Sequence, residues 1–114
     1  MSIRLRLTVE GTRGVFYVTS WQCLGERAVE PEQCRNLFRR DEAVVQGSVT
    51  RNNNSFTFRG ESVQQTVIFP AAAAQGRYCL DNLEGTVDGD TLRTQHTDGC
   101  SDPTTVTFTK RSCT

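Results

Sequence analysis

The chain contains a single histidine, His96, and two groups able to work with an imidazole, Asp98 and Ser101, follow it within five residues. A carboxylate, an imidazole and a hydroxyl are the parts of a nucleophilic triad, in which histidine takes the hydroxyl proton and the carboxylate orients the ring. Triads assemble from segments distant in sequence, however, and a nucleophilic serine needs a sharp turn to present it. Ser101 lies in no Gly-x-Ser-x-Gly context. The local grouping therefore reads as a packed or surface histidine near the rim of a strand, not as a catalytic centre.

A second group of candidates is acidic: Asp81, Glu84, Asp88 and Asp90. Calcium loops of the EF-hand kind need Asp-x-Asp-x-Asp-Gly spacing, which is absent. Asp88-Gly89-Asp90 is better explained as a hairpin turn. An isomerase- or cyclase-type barrel enzyme could use Asp81 or Glu84 as an acid, provided a dry cavity raised its pKa. With one histidine and no recognisable constellation, a non-enzymatic domain is the expectation, and no cofactor or metal is expected.

The five cysteines are the strongest chemical signal. No CxxC occurs, and Cys23 to Cys34 is too wide for a zinc knuckle. Two disulfides and one odd thiol account for the set most simply, which places the chain in an oxidising compartment: secreted, periplasmic or at the cell surface. Residues 1–12 alternate apolar and polar and cannot be a signal peptide, so a leader is expected to have been removed. Cys23 with Cys34 would close a loop of about a dozen residues and contribute on the order of 3 kcal/mol. Cys79 with Cys100 would bracket the Asp88-Gly89-Asp90 hairpin. Cys113 is then left over, either as a free thiol or as a link between two chains. The rival pairing joins Cys100 to Cys113 and frees Cys79, and spacing alone does not choose between them.

These groups must be positioned by strands, because the dominant hydrophobic period is two. Ile3, Leu5, Leu7 and Val9 alternate with Arg4, Arg6, Thr8 and Glu10. Further strands are expected over 15–21, 43–50, 55–60 and 62–69, within 78–88, and over 91–97 and 104–110. Turns fall at 11–14, at the asparagine run 52–54 and at 88–90. Asn53-Asn54-Ser55 also matches a glycosylation acceptor. From Glu30 to Arg40 the pattern changes: Pro31 suits a first helical position, and Cys34, Leu37 and Phe38 share one helical face. One short helix is expected near 31–40, with Arg39 and Arg40 at its solvated end. About eight strands joined by hairpins suggest an all-β antiparallel meander closed into an up-and-down, calycin-like barrel. A β-sandwich is the alternative. Length and the lack of any linker fit one domain over 1–114.

Thirteen basic residues balance thirteen acidic ones. This zero net charge argues against a chain built to grip phosphate backbones, and no nucleic-acid partner is expected. No apolar run approaches the ~20 residues of a membrane helix. Tyr17 and Trp21 share strand parity with Val15, so they form either core or an aromatic platform. Lipocalins carry Gly-x-Trp on an early strand; Thr19-Ser20-Trp21 lacks the glycine.

The expected function is an inhibitor-like binding domain. Another protein would be recognised by the excursion Leu24 to Glu42, through Arg27, Glu30, Arg35, Arg39 and Arg40. A stapled loop loses little entropy on binding. The alternative partner is a small apolar ligand inside the barrel, lined by Tyr17, Trp21, Phe56, Phe58 and Phe69.

Overall fold

The structure, a computed structural model, describes residues 2–25, 33–34, 37–69 and 78–110. Seven strands follow one another: β1 (Ser2–Glu10), β2 (Arg13–Cys23), β3 (Leu37–Asn52), β4 (Ser55–Phe69), β5 (Asn82–Asp88), β6 (Thr91–Thr97) and β7 (Thr104–Thr109). They form one sheet in the order β1-β2-β3-β4-β5-β6-β7, every neighbouring pair antiparallel. The sheet curls until Phe16 on β2 and Phe108 on β7 stand 6.2 Å apart, edge to face. The result is an all-β, nearly closed barrel. β1 and β7 remain its two edges.

The alternation in sequence explains which side faces in. On β2, Gly14 and Phe16 are buried, and Phe16 pairs with Val45 of β3. Phe16, Val45, Val49, Phe56, Phe58 and Leu83 form the core, with Leu5, Leu7, Val63, Leu92 and Phe108 packed around it. Four of these, Phe16, Phe58, Leu83 and Val45, have almost no solvent exposure. Burial of that apolar area is what closes the curl, at roughly 1.5–3 kcal/mol for each large side chain.

The turns fall where expected. Asn53 takes a left-handed conformation (φ +57°) between β3 and β4, and Gly89 does so (φ +59°) between β5 and β6. Both are residue types that reach this region at low steric cost.

Two expectations are corrected. The strands expected over 55–60 and 62–69 are one strand, β4, so the described strands number seven and not eight. Gln46 pairs with Ser62 and Gly47 with Gly60, which leaves Glu61 as the extra residue of a β-bulge. A bulge and a turn share glycine-polar composition, and here the bulge prevails because β3 offers β4 an uninterrupted partner. The helix near 31–40 is overturned in its second half: Leu37–Arg40 is the start of β3, where Arg40 pairs with Trp21 and Phe38 bulges between Gln22 and Cys23. Helical spacing in a four-residue apolar group is a weak signal, and a ready strand edge outweighs it. No α-helix occurs among the described residues, and none there could cross a membrane. Residues 26–32 and 35–36 lie outside the described residues.

Both preferred disulfides form: Cys23–Cys34, with Cα atoms 5.9 Å apart, and Cys79–Cys100, at 6.3 Å. Cys113 lies outside the described residues.

Candidate functional site

The β5–β6 hairpin positions the most densely hydrogen-bonded group of side chains. Its register pairs Leu83 with His96 and Asn82 with Thr97. Just beyond the last pair of that ladder come Asp81 on one arm and Asp98 on the other, and Asp81 reaches diagonally to His96. Side chains alternate faces along a strand, so Asp81, Leu83, His96 and Asp98 share the inner side. The His96 ring sits 6.3 Å from the ring of Phe16, at the end of the core.

Asp81 is buried, 5 % exposed, and both of its oxygens are engaged. Oδ1 shares a 2.6 Å hydrogen bond with His96 Nε2, and Oδ2 accepts one of 2.6 Å from the Tyr78 hydroxyl. Its backbone carbonyl accepts from Gly60 N at 3.0 Å, which ties the segment before β5 to the β4 bulge. Burial first, and then the hydrogen bond and charge of Asp81, push the Tyr78 phenol above its usual range.

Asp98 is held from the loop side. Its Oδ1 accepts from the backbone N–H of Cys100 at 2.9 Å and of Ser101 at 3.0 Å, and the Ser101 hydroxyl donates to both oxygens. Partial desolvation opposes its charge, but these bonds and the nearby His96 outweigh it and hold the carboxyl below its usual range. Asp81, His96 and Asp98 each offer one ligand atom, all within 4.8 Å of one another. The Cys79–Cys100 disulfide clamps the same two segments, one residue after Tyr78 and two after Asp98.

This geometry separates the residues that sequence grouped together. Ser101 bonds Asp98 and not His96, so the three do not form a relay from hydroxyl to imidazole to carboxylate. Glu84 is exposed and lies beside a shallow recess of about 290 Å³, shared with Thr57, Arg59, Asn82 and Thr97. The structure brings Asp81 to His96 and leaves Glu84 apart. The signal for this was present: a hairpin centred on Asp88–Thr91 fixes every pairing below it, and Asp81 and Asp98 are equidistant from that turn. Tyr78 had no such marker, since it lies outside the paired strand.

The second candidate region is the end of the sheet near Cys23. Of the residues expected to bind a protein, Arg27, Glu30 and Arg35 lie outside the described residues. Arg39 and Arg40 are in β3, facing opposite sides, paired with Asp41 at 3.1 Å and Glu42 at 2.9 Å. Arg40 Nε is buried with no hydrogen-bond partner among the described residues. Two large apolar side chains flank the Cys23–Cys34 bond in solvent: Leu24, 51 % exposed, and Phe38, 53 % exposed.

The residues expected to line a cavity are split between the faces. Phe56 and Phe58 are core. Tyr17 and Trp21 point the other way from Phe16, with the Arg6 guanidinium 4.3 Å over the Tyr17 ring and Trp21 buried at 5 % exposure. Only the backbone of Phe69 is described.

No protein-family model matches the chain, and neither a curated protein nor a solved structure shows significant similarity to it.

Proposed function

We propose that this small disulfide-braced barrel is a non-enzymatic binding domain of an oxidising compartment, which recognises another protein through the segment closed by Cys23–Cys34. The observation that carries this reading is the pair of exposed apolar side chains, Leu24 and Phe38, at the foot of that segment. Large apolar groups left in solvent next to a covalent staple have the character of interface anchors: they bury area on binding while the staple limits the ordering cost. The filled interior weighs in the same direction. With Phe16, Val45, Phe58 and Leu83 almost fully buried in the core, the hollow-barrel reading with a small apolar ligand has little support.

The test is site-specific crosslinking in the secreted and cell-surface fraction of the source. A photoreactive residue at position 38 is compared with one at position 95, on an exposed position of β6. The reading expects one saturable protein adduct from position 38, none from position 95, and its loss in a Cys23→Ser/Cys34→Ser variant that keeps its β-sheet circular dichroism. Equal labelling from both positions, or saturable uptake of an apolar probe that quenches Trp21 fluorescence, would overturn it.

A further inference from the structure

The geometry points to a divalent transition-metal site, best suited to zinc, formed by Asp81, His96 and Asp98 at the Cys79–Cys100 end of the barrel. The inference is independent of the protein-binding reading, which concerns the opposite staple.

Charge is the first argument. Two carboxylates and one imidazole bring their ligand atoms within 4.8 Å of one another, and one of the carboxylates is buried. Among the described residues, the hydrogen-bond and ion-pair partners of these three include no arginine or lysine. Three other carboxylates among the described residues are each paired with an arginine: Glu61 with Arg13, Asp41 with Arg39, Glu42 with Arg40. Converging negative charge in a desolvated place is costly unless a cation neutralises it. Among the described residues His96 is the one cationic candidate in contact, and a metal ion supplies twice its charge.

Ligand chemistry and span are the second argument. One imidazole with two carboxylates is a nitrogen–oxygen set suited to zinc and its first-row neighbours, whereas calcium takes oxygen ligands alone. Ligand atoms bound to a single ion at about 2.0–2.2 Å lie roughly 3–4 Å apart, so the site is completed when the 2.6 Å Asp81–His96 contact opens around the ion and the widest separation, within 4.8 Å, closes. Binding replaces the proton shared by His96 Nε2 and Asp81 Oδ1, which leaves to solvent.

The third argument is the surrounding support. Metal-ligating groups are held by hydrogen bonds from an outer shell. Here the Tyr78 hydroxyl fixes the second oxygen of Asp81, and the Cys100 and Ser101 amides fix Asp98. Phe16 walls the His96 ring on the core side, and the disulfide joins the segments that carry the two aspartates. Asp98 and His96 remain partly exposed, so an ion has a way in.

The experiment uses the full oxidised chain, stripped with chelator, untagged, with any free thiol alkylated so that Cys113 cannot contribute. Zinc binding is measured by calorimetry, and cobalt is added separately to read the coordination geometry from its visible absorption. One zinc per chain is expected, with at least a tenfold loss of affinity in both His96→Ala and Asp98→Asn. Tyr78→Phe should weaken binding by roughly tenfold while leaving the cobalt spectrum unchanged in type, as expected of an outer-shell group. Asp98→Asn changes a loop-side residue and keeps the core, so it remains informative should His96→Ala unfold. Absence of stoichiometric binding, or zinc binding unchanged by Asp98→Asn in a folded protein, would overturn the assignment.

Discussion

Asp81 and His96, fifteen residues apart, meet at 2.6 Å because the β5–β6 hairpin folds one diagonally onto the other. The contact lies between the core phenylalanine Phe16 and the Tyr78 hydroxyl, so it belongs to the barrel's packing as much as to its surface chemistry.

Removing one member of this network should cost more than its hydrogen bond alone. In Asp81→Ala the Tyr78 hydroxyl and the His96 ring lose their shared acceptor while still half-buried. Stranding such donors costs about 1–3 kcal/mol. A double-mutant cycle of Asp81→Ala with His96→Ala, followed by urea unfolding of the metal-free protein, should return a coupling of about 0.5–3 kcal/mol. Strict additivity would show that the two residues do not stabilise each other.

The phenol of Tyr78 gives the domain an alkaline limit. Burial, reinforced by Asp81, keeps it protonated in the folded state well beyond its ordinary range. In the unfolded chain a phenol ionises near pH 10. Above about pH 10 the unfolded state therefore binds fewer protons than the folded state, and stability falls as pH rises. Below that pH the contribution is fully present. Urea midpoints between pH 8 and 11.5 should decline more steeply for the native sequence than for Tyr78→Phe. Parallel curves would remove Tyr78 from the account.

Gly60 is where the bulged strand β4 passes closest to the site. A methyl group there would meet the Asp81 carbonyl oxygen at 2.6 Å and a Val45 methyl at 2.9 Å. Neither can withdraw: one is backbone, the other is fully buried core. Gly60→Ala should destabilise the fold by about 1–3 kcal/mol through overpacking. It should also disturb the His96 ring resonances, because the Gly60 N–H anchors the Asp81 backbone. By contrast Arg13→Ala, which breaks an exposed ion pair with the bulged Glu61, should change stability by less than about 1 kcal/mol. A Gly60→Ala protein as stable as Arg13→Ala would contradict the close approach.

What the sequence determined by itself is everything carried by short-range pattern. Period-two alternation in Ile3–Val9 and Val15–Trp21 set strands with one apolar face, and Asn52–Asn54 and Asp88–Asp90 set the turns between them. The cysteine count set two disulfides and an odd thiol, but spacing left two pairings open, and only the tertiary structure joins Cys23 to Cys34 and Cys79 to Cys100. Local pattern failed where two structures share a composition. Glycine beside a charged residue at Gly60–Glu61 reads as a turn, and only the continuous partner strand β3 makes it a bulge. Leu37 and Phe38 have helical spacing relative to Cys34, and only the β2 edge recruits them into a strand. The candidate site lies further still from local pattern. Its residues come from both arms of one hairpin and from Tyr78, which precedes the paired strand. Which carboxylate His96 meets depends on register and on which side of the curled sheet becomes the core. Those are decided by packing Phe16, Phe58 and Leu83 together, because burial of apolar area depends on all the strands at once and on no single stretch of sequence.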